Sequence, residues 1–166
     1  VRAVSGHSRP DDMRLRRGEG PTVLVKYVYK FEVGTSQLLE KGNAVLVISS
    51  VTVTMRSLEA AENLRKDNIR AAVLHLPTIN PLDEKTILAQ AAKPGRLVIT
   101  AENHTCVGGL SEAVASLLMR EGVHPEFDVI SLPDEYLHAG ALPTLHDRYG
   151  ISTAAMVEKI KTRLSR

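Results

Sequence analysis

The chain has no tryptophan, two phenylalanines and four tyrosines. Its core must therefore be aliphatic, and the aromatic platforms on which nucleic-acid bases stack are scarce. The formal net charge is only +2, which gives no electrostatic case for nucleic acid. Cys106 is the one cysteine, so an internal disulfide is excluded and a reducing compartment fits. No apolar run approaches the roughly 20 residues of a membrane helix, and no charged-then-apolar leader opens the sequence. These features predict a cytoplasmic protein with neither a membrane nor a nucleic-acid partner. The six histidines form no His-x-x-x-His pair and there is no Cys-x-x-Cys, so no metal site is expected. The Walker pattern and Gly-x-Gly-x-x-Gly are also missing.

What is present is one domain's worth of chain, 166 residues with 43% hydrophobic and 24% charged. The stretch Arg96 to Glu121 organises it. Leu97, Val98 and Ile99 read as a strand covered on both faces. Glu102, Asn103, His104 and Thr105 then crowd polar groups into a bend at the strand's carboxyl end, where open α/β sheets usually meet ligands and partners. Gly108 and Gly109 allow close approach, and Leu110, Ala113, Val114, Leu117 and Leu118 fall on one helical face.

Residues 1–20 are polar, basic and turn-rich, the composition of a tail or linker. Val23, Leu24, Val25, Val28, Phe31 and Val33, punctuated by Gly34 and Gly42, predict a hairpin or strand pair. Residues 44–50 read as a buried strand. Residues 51–67 read as a helix with Met55, Leu58, Ala61 and Leu64 as its stripe, a Glu62–Lys66 ion pair on its wet side and Asn68 at its end. Residues 71–76 form the next strand. Asp83 caps a helix that carries Lys93 in its last turn before Pro94-Gly95. Residues 127–132 are a further strand, residues 142–149 a short helix, and Ser152 opens a terminal helix with Met156, Val157, Ile160 and Leu164 inward. The alternation predicts a three-layer α/β/α fold with a mostly parallel sheet of about five strands.

Candidate chemistry is sparse. His75 reads as a packed, hydrogen-bonded core histidine. His104, beside Glu102 and just before the glycine bend, is open to either an interface role or a structural one. Cys106 with His104 as base lacks any element to fix their geometry. Ser111 sits in no nucleophile-elbow pattern. Asp134 and Glu135 read as charge at a helix start. The two glycines are better explained by close packing of helix on strand than by phosphate binding, because Glu112 would repel an anion there.

Residues TAENHTCVGGLSEAVASLL are similar to the acid-acid-His, Gly-Gly-Leu-Gly and alanine-rich helix of transketolase C-terminal domains, with Asn103 for the second acid and Ser111 for the last glycine. KFEVG, SLEAAENLRKDNI, HLPTINPLDEKTI and LPDEYLHAGALPTLHDRYGIS extend the resemblance in order from about Arg17 to the C-terminus. It is best to the C-terminal section of split, two-subunit transketolases. 1-Deoxyxylulose-5-phosphate synthases and the β components of 2-oxo acid dehydrogenases share the domain, and a stand-alone assembly or binding module is a further alternative. The resemblance implies residues 21–166 as the C-terminal domain and residues 1–20 as the exit from a pyrimidine-binding domain, with Arg17 reaching the substrate's phosphate. It implies a non-catalytic role in an enzyme that transfers a two-carbon ketol unit between sugar phosphates. Thiamine diphosphate and Mg would sit on partner domains or a partner subunit carrying the diphosphate- and pyrimidine-binding regions, and not on this chain, which has no Gly-Asp-Gly. A homodimer or larger assembly is implied, with Glu102, His104, Gly108 and Gly109 as domain-interface candidates and no catalytic residue.

Overall fold

The structure, a computed structural model, describes residues 2–6, 8, 10–13, 27 and 30–166. Its elements run α1 (Arg2–Ser5), β1 (Gln37–Glu40), β2 (Val45–Ser50), α2 (Val53–Lys66), β3 (Ala71–Leu76), α3 (Glu84–Ala91), β4 (Leu97–Thr105), α4 (Leu110–Arg120), β5 (Phe127–Leu132), α5 (Leu142–Arg148) and α6 (Thr153–Leu164). The five strands form one sheet in the order β1-β3-β2-β4-β5. β1 is antiparallel to β3 and every other pair is parallel.

Alternation along the central strand builds the layers. Val45 and Val47 of β2 join one aliphatic cluster with Val53, Ala60, Ala61 and Leu64 of α2 and Met156, Val157 and Ile160 of α6. Leu46 and Ile48 point the other way, into a second cluster with Ile87 of α3 and Leu110, Val114 and Leu117 of α4. A strand walled on both faces needs no polar alternation, which is why residues 45–48 read as an unbroken apolar run.

Local signals set several boundaries. Asp83 accepts from the Thr86 N–H at 3.1 Å and so caps α3. The same carboxylate takes the Ser36 N–H and hydroxyl, tying the segment before β1 to the start of α3. Burial pushes the Asp83 carboxyl up, but these hydrogen bonds from Ser36 and Thr86 outweigh it and hold the group below the usual carboxylate range. Asn68 stops α2 in the left-handed region at φ 62°. Ser152 caps α6 through the Ala155 N–H.

The structure corrects other expectations. The strand before the main sheet is Gln37–Glu40; Phe31 and Val33 are exposed and outside any strand, while Val23, Leu24, Val25 and Val28 lie outside the described residues. In α2 the inward line is Val53, Ser57, Ala60, Ala61 and Leu64, with Met55 and Leu58 only half-buried. Three residues advance a helix by only about 300°, so a stripe stepped by three drifts off the core within a few turns. Lys66 donates to Asn63 at 3.0 Å in place of the Glu62 pairing. Lys93 lies beyond the end of α3, and Leu164 of α6 is exposed. Asp134 and Glu135 stand in irregular chain, and the first turn of α5 holds no acid.

Candidate functional site

The carboxyl edge of the sheet holds most of the residues singled out from the sequence. β4 runs on through Glu102, Asn103, His104 and Thr105, the residues expected to bend away. The extension is stabilised from within. Glu102 is only 1% exposed, and its two carboxylate oxygens accept from the Leu110 N–H at 2.9 Å, the Ser111 N–H at 2.8 Å and the Ser111 hydroxyl at 2.6 Å. The first amides of a helix have no partner within it and carry partial positive charge. One buried acid on a strand end therefore caps the helix that follows. Ser111 also accepts from the Thr100 hydroxyl at 2.9 Å, which extends the network to the middle of β4.

Gly109 makes this contact possible. A Cβ there would stand 2.3 Å from Glu102 Oε2 and 2.6 Å from the Thr105 carbonyl oxygen. The packing explanation of that glycine thus has an atomic basis. Gly108 is different: it has φ +69° with open space around it, and its N–H donates to Glu112 Oε2 at 2.5 Å. An acid of the first turn already occupies the place an anion would take.

Glu102, Gly109 and Ser111 are thus brought together, and the Glu102 carboxylate faces inward. Asn103 and His104 are exposed at the strand's end, and His104 Nδ1 lies 3.2 Å from the Thr105 carbonyl oxygen. Cys106 is half-buried and lines a shallow cleft of about 630 Å³ with Leu132, Glu135, Arg148 and Tyr149. Among the described residues no hydrogen bond joins His104 to Cys106. Arg17 lies outside the described residues. Among the described residues, no group of three or more His, Cys, Asp or Glu could hold a metal ion, and no helix is long and apolar enough to cross a membrane.

A second polar cluster lies where β2 hands over to α2. Thr54 Oγ1 sits 2.8 Å from His75 Nδ1 and accepts from the Ser49 hydroxyl at 3.0 Å, all three residues being buried. His75 is the core histidine its position suggested. Ser49 and Thr54 were not singled out, since small hydroxyls beside a strand end carry no distinctive spacing. Val51, between them, holds φ 34° while exposed, a strained backbone for a β-branched residue.

Burial lowers the His75 pKa from 6.5 to about 4. The unfolded chain takes up this proton near pH 6.5 and the folded chain only near pH 4, so the fold loses stability as pH falls through that window. The loss from this residue should approach about 3 kcal/mol by pH 4. Urea unfolding at a series of pH values should show it, and His75→Gln should flatten that part of the profile. An unchanged profile in the variant would contradict the assignment.

Residues 34–156 match the family model for the transketolase C-terminal domain. An uncharacterized transketolase family protein of Sinorhizobium fredii is 59% identical over 97% of this chain and 47% of its own length. A 1-deoxy-D-xylulose-5-phosphate synthase of Heliobacterium modesticaldum is 34% identical over 99% of this chain and 25% of its own. Among solved structures, a split-gene transketolase in an inactive β4 tetramer superposes with a TM-score of 0.76 at 29% identity, covering 87% of this chain and 46% of that one. The chain thus spans about half the length of the first relative and of that structure, and a quarter of the synthase. It belongs to the transketolase C-terminal domain family.

Proposed function

We propose that this chain is the C-terminal, non-catalytic part of a transketolase, an assembly that moves a two-carbon ketol unit from a ketose phosphate to an aldose phosphate. The likeness to the split-gene transketolase carries this reading. On this reading residues 21–166 are the domain, residues 1–20 come from the end of a pyrimidine-binding domain, and Arg17 is the residue assigned to the sugar phosphate. In keeping with this reading, the described residues hold no cluster of three or more His, Cys, Asp or Glu that could hold a metal ion, and the sequence has no Gly-Asp-Gly. On this reading thiamine diphosphate and Mg²⁺ belong to companion domains, in a cytoplasmic dimer or larger assembly.

The carboxyl edge supports a scaffolding role. Its most buried acid, Glu102, is engaged by α4. Around it, His104 and Gly108 are exposed, as are the apolar Val51, Ile79 and Val107 on the loops after three neighbouring parallel strands. Such an edge suits a companion domain, with Glu102 and Gly109 holding its shape from beneath. Calorimetric titration of the isolated chain with thiamine diphosphate and Mg²⁺ should give no saturable heat. The chain combined with a companion carrying the missing domains should transfer ketol units. Saturable micromolar binding to the chain alone would refute the assignment.

The synthase relatives favour a second reading, in which the complete enzyme makes 1-deoxy-D-xylulose 5-phosphate. Product analysis of the assembled enzyme separates the two.

A further inference from the structure

Among the described residues, the sheet order leaves β5 with one long side unpaired. Val98 lies opposite Phe127, and the Val98 N–H donates to the Glu126 carbonyl. In a parallel pair this directs the peptide groups of residues 126, 128 and 130 toward β4 and those of 127, 129 and 131 outward. Val129 therefore presents an N–H and a C=O at the middle of a six-residue edge. Such an edge is a template for another strand.

Both groups are occupied by the chain's own charged side chains. Asp128 Oδ1 accepts the Val129 N–H at 2.7 Å. The Lys159 ammonium of α6 donates to the Val129 carbonyl. The two side chains are 3.1 Å apart, and Arg163, one turn further along α6, places Nε 3.3 Å from Asp128 Oδ2. Arg163 also reaches Glu126 at 3.6 Å. The opposite edge needs no such device. β1 has four residues, its register with β3 is irregular between Leu38 and Glu40, and Arg65 pairs with Glu40 beside it.

We infer that Asp128, Lys159 and Arg163 form an ionic clip that closes the β5 edge against a second copy of this chain. The excluded partner is another β5 in antiparallel, two-fold pairing, since Phe127, Val129 and Ile130 supply a β-prone segment that complements itself. The clip acts whatever enzyme the domain serves. It leaves the carboxyl edge, and not the sheet's side, for specific assembly.

The test compares the full chain with the Asp128→Ala/Lys159→Met variant by light scattering at matched concentrations. The variant should show roughly twice the mass of the unsubstituted chain. Amide exchange at Val129 and Ser131 should slow about tenfold in the associated form. Adding Val129→Pro, which removes one outward N–H that β4 does not use, should restore the original mass. Lys159→Met alone alters only a partly exposed side chain and should show the same trend if the double variant folds poorly. An unchanged mass in folded variants would overturn the inference. So would association without slowed exchange at Val129 and Ser131.

Discussion

Glu102→Ala should cost the fold about 3 kcal/mol, which for a chain of this size lowers the melting temperature by roughly 6–12 °C. The substitution removes the acceptor of three hydrogen bonds and leaves the Leu110 and Ser111 amides unsatisfied where no water reaches. A buried donor without a partner costs about 1–3 kcal/mol, and the lost negative charge at the start of α4 adds to it. Glu102→Gln should be milder. Its carbonyl can replace one carboxylate oxygen, but its NH₂ group must then face a donor, so about half the loss should remain. Urea midpoints at constant m-value measure both. If the alanine variant unfolded at the midpoint of the original chain, the capping account would fail. The Thr100–Ser111 hydroxyl pair would then have to hold the helix start alone.

Gly42→Ala should be at least as damaging, at about 3 kcal/mol or more. A Cβ on Gly42 would lie 2.4 Å from both the Ala71 carbonyl carbon and the Arg70 carbonyl oxygen, and 2.6 Å from the Ala72 nitrogen. All three are main-chain atoms, so no rotamer change relieves the clash. They open β3, and Ala44 donates to the same Arg70 carbonyl at 3.1 Å. The Gly42 carbonyl is also held by Arg96, a residue only 4% exposed whose guanidinium binds Gln90 as well and whose pKa burial lowers. Pushing Gly42 outward therefore disturbs the starts of three adjacent strands. Gly95→Ala is the control: φ is +69° but nothing stands within 4 Å, so only the backbone preference of about 1 kcal/mol is at stake. Equal melting temperatures for the two variants would show that the contact at Gly42 is softer than its distances imply.

Much of this architecture could be read from the residues. The β3 and β5 segments came from apolar runs between breakers, and the start of α3 from an acid placed to cap it. β1 escaped because Gln37–Glu40 is short, half-buried throughout and antiparallel, so it lacks both the alternation of a surface strand and the continuity of a core strand. The end of β4 escaped because an acid followed by Asn and His normally marks solvent. Glu102 is buried only because α4 presents two amides to it, and that pairing depends on tertiary structure. One clue was available. Ser111 replaces the glycine of the family pattern, and its hydroxyl supplies a third donor to the same carboxylate. At the site, the sequence indicated the right stretch but not which side chains turn in. Glu102 and His104 are two residues apart, yet one is sealed against a helix and the other reaches solvent.

β2 belongs to both aliphatic clusters, giving alternate side chains to each and hydrogen bonds to the strands on either side of it. Loosening one layer removes a wall of the other, so the domain has no route to a half-melted form that keeps one layer intact. The two layers should therefore melt in one step, with local fraying confined to the rims of the sheet.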